Sequence, residues 1–383
     1  MKRIFKTILF ALLISLTVNA QIDDSMMKDV MKDVLKKAKK GDVEAMYAAG
    51  YYYEYFERID SKAMEWYQKA ARKGHEESMF SIAVYYFLGI GTIPQDYTKS
   101  MEWFQKAAEK GHARSLFLIG VQYRYGMGVT EDYTKAMEWY LKAAEKDNEA
   151  AMYAIGRLYE NGLGVIQDYS KAMEWYQKAA ENGNAAAMSN IGLLYEKGYG
   201  VSQDYAQAME WYQKAAEKGE VTSMCGIGLL YENGLGVPQD YIKAMEWYQK
   251  AAEKGNIVAI CNIGELYYEG HGVQQDYAKA IECFKKAEQD GYNPAINKIG
   301  EMYYNGHYVA EDREKAFELF TKAAKASENP SGDAMKRLSD CYRFGFGTSQ
   351  DLEQAEYWLG KAQEAGSDKA NAIKRLLDMG NQY

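Results

Sequence analysis

Tryptophan recurs in this chain at a nearly fixed interval, always within the same short phrase. The first five steps are 37, 36, 36, 36 and 36 residues, two further steps of 36 reach Cys283 and Leu319, and a last step of 39 reaches Trp358. The preceding tryptophans are Trp66, Trp103, Trp139, Trp175, Trp211 and Trp247. A fixed period of this length is typical of a solenoid, in which each repeat contacts only its neighbours. The 383 residues are therefore interpreted as one repeat array rather than several ordinary domains.

Each repeat contains two stretches with helical periodicity, here described on residues 184–219. The first stretch places five apolar or small residues on one helix face, Ala187, Met188, Ile191, Gly192 and Tyr195. The second does the same with Ala208, Trp211, Tyr212, Ala215 and Ala216. The pattern predicts an all-α fold, an α/α solenoid of about nine helix-turn-helix repeats over residues 42–366.

Recurring polar residues and glycines mark the predicted helix ends. Asp204 can accept backbone N–H bonds at the start of the second helix, and Gly219 can turn left-handed after it. The equivalents of Asp204 in other repeats are Asp96, Asp132, Asp168, Asp240, Asp276, Asp312 and Asp351. One acid used eight times indicates a helix cap, not catalysis. The Gly198-x-Gly200 turn lacks the third glycine and the preceding strand of a dinucleotide site, so we interpret it as a backbone turn.

Two further positions predict how the helices pack. Gly192 lies in the apolar stripe, where glycine costs about 1 kcal/mol relative to alanine, so a close helix contact must compensate. Its equivalents are also small, namely Gly50, Ala83, Gly120, Gly156, Gly228, Gly264, Gly300 and Ser339. Trp211 and Tyr212 are both expected in the core. On that basis Trp175→Ala is predicted to cost about 3 to 5 kcal/mol.

The N-terminus has the pattern of a secretory signal peptide over residues 1–20. Lys2, Arg3 and Lys6 precede an apolar run at 8–18, and small residues favour cleavage after Ala20. No cysteine directly follows the predicted cleavage site, and no later segment is apolar enough to span a membrane. We expect an exported protein, periplasmic or secreted, in a bacterium. Its formal net charge of −8 becomes −11 once the three leader cations are removed, which makes nucleic acid a poor partner.

The repeat resembles the Sel-one-like repeat family, which is related to tetratricopeptide repeats. Several units match A-x-x-x-I-G-x-L-Y-x-x-G-x-G-V followed by D-Y-x-K-A-x-x-W-Y-x-K-A-A almost letter for letter. The resemblance implies a right-handed superhelix that assembles protein complexes, usually without catalysis. Residues 21–41 and 367–383 are expected to form capping helices. The first repeat lacks the glycine turn and continues directly to Asp60 as its cap. In the eighth repeat, Tyr308 replaces the second glycine of the turn.

In this family the first helices usually line the concave face, so their non-core positions are where a partner would bind. Eight such residues of the first four repeats have an apolar bias, and we call them the N-terminal strip: Tyr47, Tyr51, Phe80, Val84, Phe117, Val121, Tyr153 and Arg157. The equivalent positions of later repeats are mostly polar. The strip is either a groove for a peptide or helix, or a set of rings that the array buries against itself.

The sequence gives little support for an enzyme. Ser25 and Lys28 form an S-x-x-K, but the other elements of a penicillin-recognising serine enzyme are absent. The histidines fall in turns, where solvent exposure is the ordinary expectation and no zinc site is predicted: His75, His112, His271 and His307.

The cysteines Cys225, Cys261, Cys283 and Cys341 are expected to be free thiols, and no cofactor is predicted. The favoured function is an exported, non-catalytic scaffold for a protein or peptide. The alternatives are a hydrolase or binding protein for cell-wall-derived or penicillin-like compounds, and a secreted effector acting on a host protein.

Overall fold

The computed structural model describes residues 24–326 and 330–366, which contain 19 α-helices and no strands. The all-α prediction is confirmed. The helices are α1 (Asp24–Lys39), α2 (Val43–Tyr55), α3 (Asp60–Ala71), α4 (Glu76–Leu88), α5 (Tyr97–Ala108), α6 (Ala113–Tyr125), α7 (Tyr133–Ala144), α8 (Glu149–Asn161), α9 (Tyr169–Glu181), α10 (Ala185–Lys197), α11 (Tyr205–Glu217), α12 (Val221–Asn233), α13 (Tyr241–Glu253), α14 (Ile257–Glu269), α15 (Tyr277–Gln289), α16 (Asn293–Asn305), α17 (Arg313–Ala324), α18 (Gly332–Phe344) and α19 (Leu352–Glu364).

From α2 onward the helices form nine pairs, and each pair is one repeat. The chain divides into two compact units, Met1–Asn184 and Ala185–Tyr383. The first unit contains α1 to α9 and hence repeats one to four, and the second contains α10 to α19 and repeats five to nine. Within each unit the two helices of a repeat pack on each other, and each repeat packs on the next.

Helix α1 precedes the first repeat and packs on it through an apolar stripe. Met31, Val34 and Ala38 are buried in one cluster with residues of α2. Across the described residues, no helix combines the length and apolarity required to cross a bilayer. The predicted leader at 1–20 and the predicted capping helix at 367–383 lie outside the described residues.

The predicted aspartate caps are confirmed at all eight positions, where each carboxylate accepts one or two main-chain N–H bonds at the start of a second helix. The prediction for Asp60 was wrong. Ile59 is the N-cap of α3 and has no side-chain cap, while Asp60 is the first helical residue. Because the glycine turn is missing, the chain turns back through Arg58 at φ 54°.

In the seven repeats that have a glycine at this position of the first helix, the glycine lies against an aromatic ring of the second helix. A Cβ added to Gly192 would be 2.6 Å from Cδ1 of Tyr212, and one added to Gly156 would be 2.5 Å from Cε1 of Tyr176. The predicted close contact therefore exists, but it joins backbone to ring rather than backbone to backbone.

The prediction that the tryptophans form the core was wrong for six of the seven. Those six are half-buried, and each lies under the ammonium group of a lysine three residues later, at 4.1 to 4.3 Å. Only Trp358 is buried. Consecutive helical residues point about 100° apart, so when Tyr176 faces the first helix, Trp175 is turned to the margin of the core.

Candidate functional site

Four residues of the N-terminal strip line one depression between α2 and α4. Tyr47, Tyr51, Phe80 and Val84 are all half-buried and enclose, with their neighbours, about 370 Å³. Glu54 and Tyr55 of α2 and Tyr67 of α3 also line the depression. Two charged residues complete it, Glu77 of α4 and Arg114 of α6. The depression lies wholly within the first unit.

The remaining strip residues do not join this depression. Phe117 and Tyr153 each pack on the buried tyrosine of their own repeat, and Val121 is half-buried. The guanidinium of Arg157 lies 3.1 Å from Glu160 and donates to the hydroxyl of Tyr153 at 3.3 Å. These side chains are thus engaged mainly within their own repeats.

The strip is partly core and partly surface. The rings of Tyr47, Phe80, Phe117 and Tyr153 each pack tilted against the buried ring of their repeat's second helix, with centroids 5.6 to 5.8 Å apart. One face of each ring therefore stabilises the repeat. None of the four is fully buried, so neither of the two interpretations made from the sequence describes the strip completely.

Glu54 lies at the depression beside Tyr67, whose hydroxyl donates a hydrogen bond to its carboxylate. Burial raises the pKa of Glu54, which the Tyr67 hydrogen bond only partly opposes. Burial also raises the pKa of Tyr47, and the nearby Glu77 and Glu54 raise it further. The phenols of the depression are therefore neutral donors at physiological pH.

Glu77 lies in a different environment at the other side of the depression. Its Oε1 is 3.3 Å from Nε2 of His112, and this hydrogen bond lowers the pKa of Glu77. The charges of His112 and Arg114 lower it further. Glu77 therefore already has cationic or donor partners from the next repeat.

The sequence interpretation missed Glu54, Tyr67 and Glu77, although a comparison of the repeats contains a signal for Glu54. Where the second helix has a buried tyrosine, four of the repeats have a glutamate in the first helix that accepts its hydroxyl: Glu54–Tyr67, Glu160–Tyr176, Glu196–Tyr212 and Glu232–Tyr248. Where that ring is a phenylalanine, the glutamate is replaced by an aromatic residue: Phe87 for Phe104, Tyr268 for Phe284 and Tyr304 for Phe320. In these seven repeats the ring and its partner change together, because a buried phenylalanine has no hydroxyl to satisfy a carboxylate. In the third repeat Arg124 takes the place of the glutamate and interacts with the buried Tyr140.

Charged residues at the strip positions of the second unit form ion pairs. Glu265 lies 3.2 Å from Lys298, and Glu301 lies 2.8 Å from Arg337, each pair joining two repeats. Lys336 and Asp340 pair within α18 at 2.6 Å. These charges satisfy one another, whereas Glu54 is not in an ion pair anywhere in the described part of the chain.

The histidines do not form a metal site among the residues that the structure describes. His75 and His112 are N-caps whose Nδ1 accepts a serine N–H, and His271 and His307 stack on tyrosines of the preceding repeat with centroids 4.5 Å apart. The expectation of a solvated turn was wrong for His112, which is buried. Its ring fills the space beside Phe80, with centroids 4.7 Å apart.

The four cysteines are free thiols in the structure, as predicted. Burial raises the pKa of Cys225, Cys261 and Cys341 to about 12, so these thiols remain protonated at physiological pH.

Comparison with known proteins is consistent with this repeat architecture. The Sel1 repeat model matches residues 43–75, 76–112, 113–148, 149–184, 185–220, 221–256, 257–292, 293–328 and 332–367. The crystal structure of c5321, a protective antigen of uropathogenic Escherichia coli strains with an SLR fold, is 29% identical with a TM-score of 0.67, over 89% of this chain and 80% of that one. A Sel1 repeat protein from Oxalobacter formigenes is 32% identical with a TM-score of 0.58, over 66% and 99%.

Among curated proteins, no sequence matches the chain. Proteins built from Sel1 repeats are generally scaffolds for protein–protein interaction and typically lack catalysis. Nine matched segments cover nearly all of the described residues, each corresponding to one helix pair. The chain belongs to the Sel1 repeat family.

Proposed function

We propose that this protein is an exported, non-catalytic scaffold that binds a protein or peptide through the N-terminal strip. The observation that carries the proposal is the depression between α2 and α4, where four strip residues remain half-buried around about 370 Å³. Partly exposed aromatic side chains are what protein interfaces concentrate. The ion pairs at the equivalent positions of the second unit leave the first unit as the better candidate.

The binding proposal is tested by crosslinking in the native cell, followed by mass spectrometry. A photo-reactive residue is placed at Ser81, which lines the depression. The crosslinked partner should be lost in Tyr51→Ser and retained in Leu88→Ser, because Leu88 is an exposed apolar residue of α4 outside the depression. A partner captured equally by wild type and Tyr51→Ser, with both variants folded by circular dichroism, would refute the role of the strip.

The export proposal rests on the leader pattern alone. N-terminal sequencing of the chain recovered from a bacterial host should give Gln21 as the first residue, in the periplasmic fraction or the medium. Recovery of the chain from the cytoplasm with residues 1–20 intact would contradict it.

A further inference from the structure

We propose that the depression between α2 and α4 binds a lysine or arginine side chain of the partner. This inference rests on the proposed function, since it specifies the chemistry recognised at the same site. It follows from three features of the depression: its aromatic walls, a carboxylate without a cation, and the residues that replace that cation.

The walls are the rings of Tyr47, Tyr51, Tyr55 and Phe80. Tyr51 and Tyr55 lie close together, with centroids 4.4 Å apart. The face of an aromatic ring carries negative potential and attracts an ammonium or guanidinium group within about 6 Å. A volume of about 370 Å³ suits one long side chain rather than an extended segment.

The carboxylate is Glu54, which accepts the hydroxyl of Tyr67 but has no ion pair with any residue in the described ranges. The equivalent glutamates of repeats four and five do have one. Glu160 lies 3.1 Å from Arg157, and Glu196 lies 2.7 Å from Lys197. In those repeats the chain supplies the cation from its own first helix.

The residues of repeat one that correspond to Arg157 and Lys197 are Tyr51 and Tyr55. Both positions from which a cation could be supplied are therefore aromatic, and both rings line the depression. Glu232 of repeat six also lacks an ion pair in the described part of the chain, but the corresponding residues there are Leu229 and Asn233, which provide no rings. Repeat one alone among these four combines the unpaired carboxylate with two tyrosines at those positions.

The other charged groups of the depression do not favour an anion. Glu77 is already paired with His112. The charge of Arg114 acts on Glu77 without a close ion pair, and no cation of the described residues acts on Glu54. An anionic group would face the unpaired Glu54 carboxylate, and a neutral apolar group would bury it without compensation. A basic side chain supplies the missing charge and packs its alkyl stem on the rings.

The test is a titration of the full mature chain with N-acetyl amides of arginine, lysine, norleucine and glutamate, followed by NMR of the backbone amides. Arginine and lysine amides should shift residues of α2 and α4, and norleucine amide, an uncharged analogue of lysine, should bind at least tenfold more weakly. The Gln side chain in Glu54→Gln can still accept the Tyr67 hydroxyl, but the variant should bind the basic amides at least tenfold more weakly. The matched control Glu232→Gln should bind them as tightly as wild type. Equal binding of norleucine, or no effect of Glu54→Gln in a folded chain, would overturn the inference.

A second variant separates the rings from the charge. Tyr51→Leu removes one aromatic face without removing a hydrogen-bond partner of Glu54, and should also weaken the binding of the basic amides. The two proposals can fail separately. If the partner crosslinks through the strip but basic amides do not bind, only the cation inference fails. If basic amides bind but Tyr51→Ser captures the same crosslinked partner as wild type, only the proposed function fails.

Discussion

At the scale of single residues, neighbours in the sequence have very different environments. Tyr176 is fully buried and donates to Glu160 at 2.7 Å, while Trp175, one residue earlier, is half-buried under Lys178. Gly156 makes room for the tyrosine ring. The stability of a repeat therefore depends on the glycine and tyrosine more than on the conspicuous tryptophan.

The tyrosine should accordingly outweigh the tryptophan in stability. Tyr176→Ala removes a buried ring and the donor to Glu160, and should lower the free energy of unfolding by about 3 to 5 kcal/mol. Trp175→Ala should cost less, because that ring is already half exposed. Urea denaturation of both variants measures the difference, and equal losses would contradict this assignment of the core.

Two glycine-to-alanine changes should have opposite signs. Alanine at Gly192 gains about 1 kcal/mol of helix propensity but overpacks against Tyr212, which costs about 1 to 3 kcal/mol, so net destabilisation is expected. Gly360 in α19 has no neighbour within 4 Å of an added Cβ, so its change should stabilise by up to about 1 kcal/mol. The melting temperatures of the two variants test both signs. A higher melting temperature for Gly192→Ala would show that the Tyr212 ring can move away from the added methyl group.

At the scale of helices, the ends are set by residues that satisfy backbone groups. The cap aspartates accept main-chain N–H bonds. In five of them these bonds, together with a lysine three residues later, lower the pKa of the carboxyl group: Asp96, Asp132, Asp168, Asp240 and Asp276. Where the glycine turn is absent in the first repeat, the cap moves to Ile59 and its side-chain hydrogen bond is lost. The turn and the cap therefore act as one local element.

These five caps should contribute to acid sensitivity. Because the folded pKa lies below the unfolded value of about 3.9, their stabilisation is complete above that pH and is lost as the pH falls through the folded pKa. Asparagine caps as well as aspartate but does not titrate here. Replacing Asp96, Asp132, Asp168, Asp240 and Asp276 by Asn should leave the melting temperature at pH 7 nearly unchanged and flatten its decline below pH 4. An unchanged acid profile would assign the sensitivity to other carboxylates.

At the scale of the whole molecule, each unit is a series of similar helix pairs whose surfaces differ. In the first unit, strip residues surround a depression with an unpaired carboxylate. In the second, the equivalent positions hold ion pairs and two buried cysteines, Cys225 and Cys261. A common core with variable surface positions is how one repeat can provide a local binding site.

The buried thiols give a measure of global opening. Three of the four cysteines are buried and the fourth is half-buried, and thiolate is the reactive form. The native chain should react slowly with a thiol reagent and rapidly in denaturant, and its intact mass should not change on reduction. A gain of two mass units on reduction under non-oxidising purification would indicate a disulfide and contradict the free-thiol assignment.

The sequence alone determined the period, the helix pairs, the aspartate caps and the requirement for a small residue at Gly192, because these depend on local geometry and on spacing along one helix. It did not determine which of Trp175 and Tyr176 enters the core, since both fit the same stripe and only packing against the first helix separates them. It indicated Tyr47, Tyr51, Phe80 and Val84 together, but also Phe117 and Tyr153, which lie elsewhere. Only the tertiary structure placed Glu54 among those rings, because its surroundings are made by three helices that no local pattern brings together.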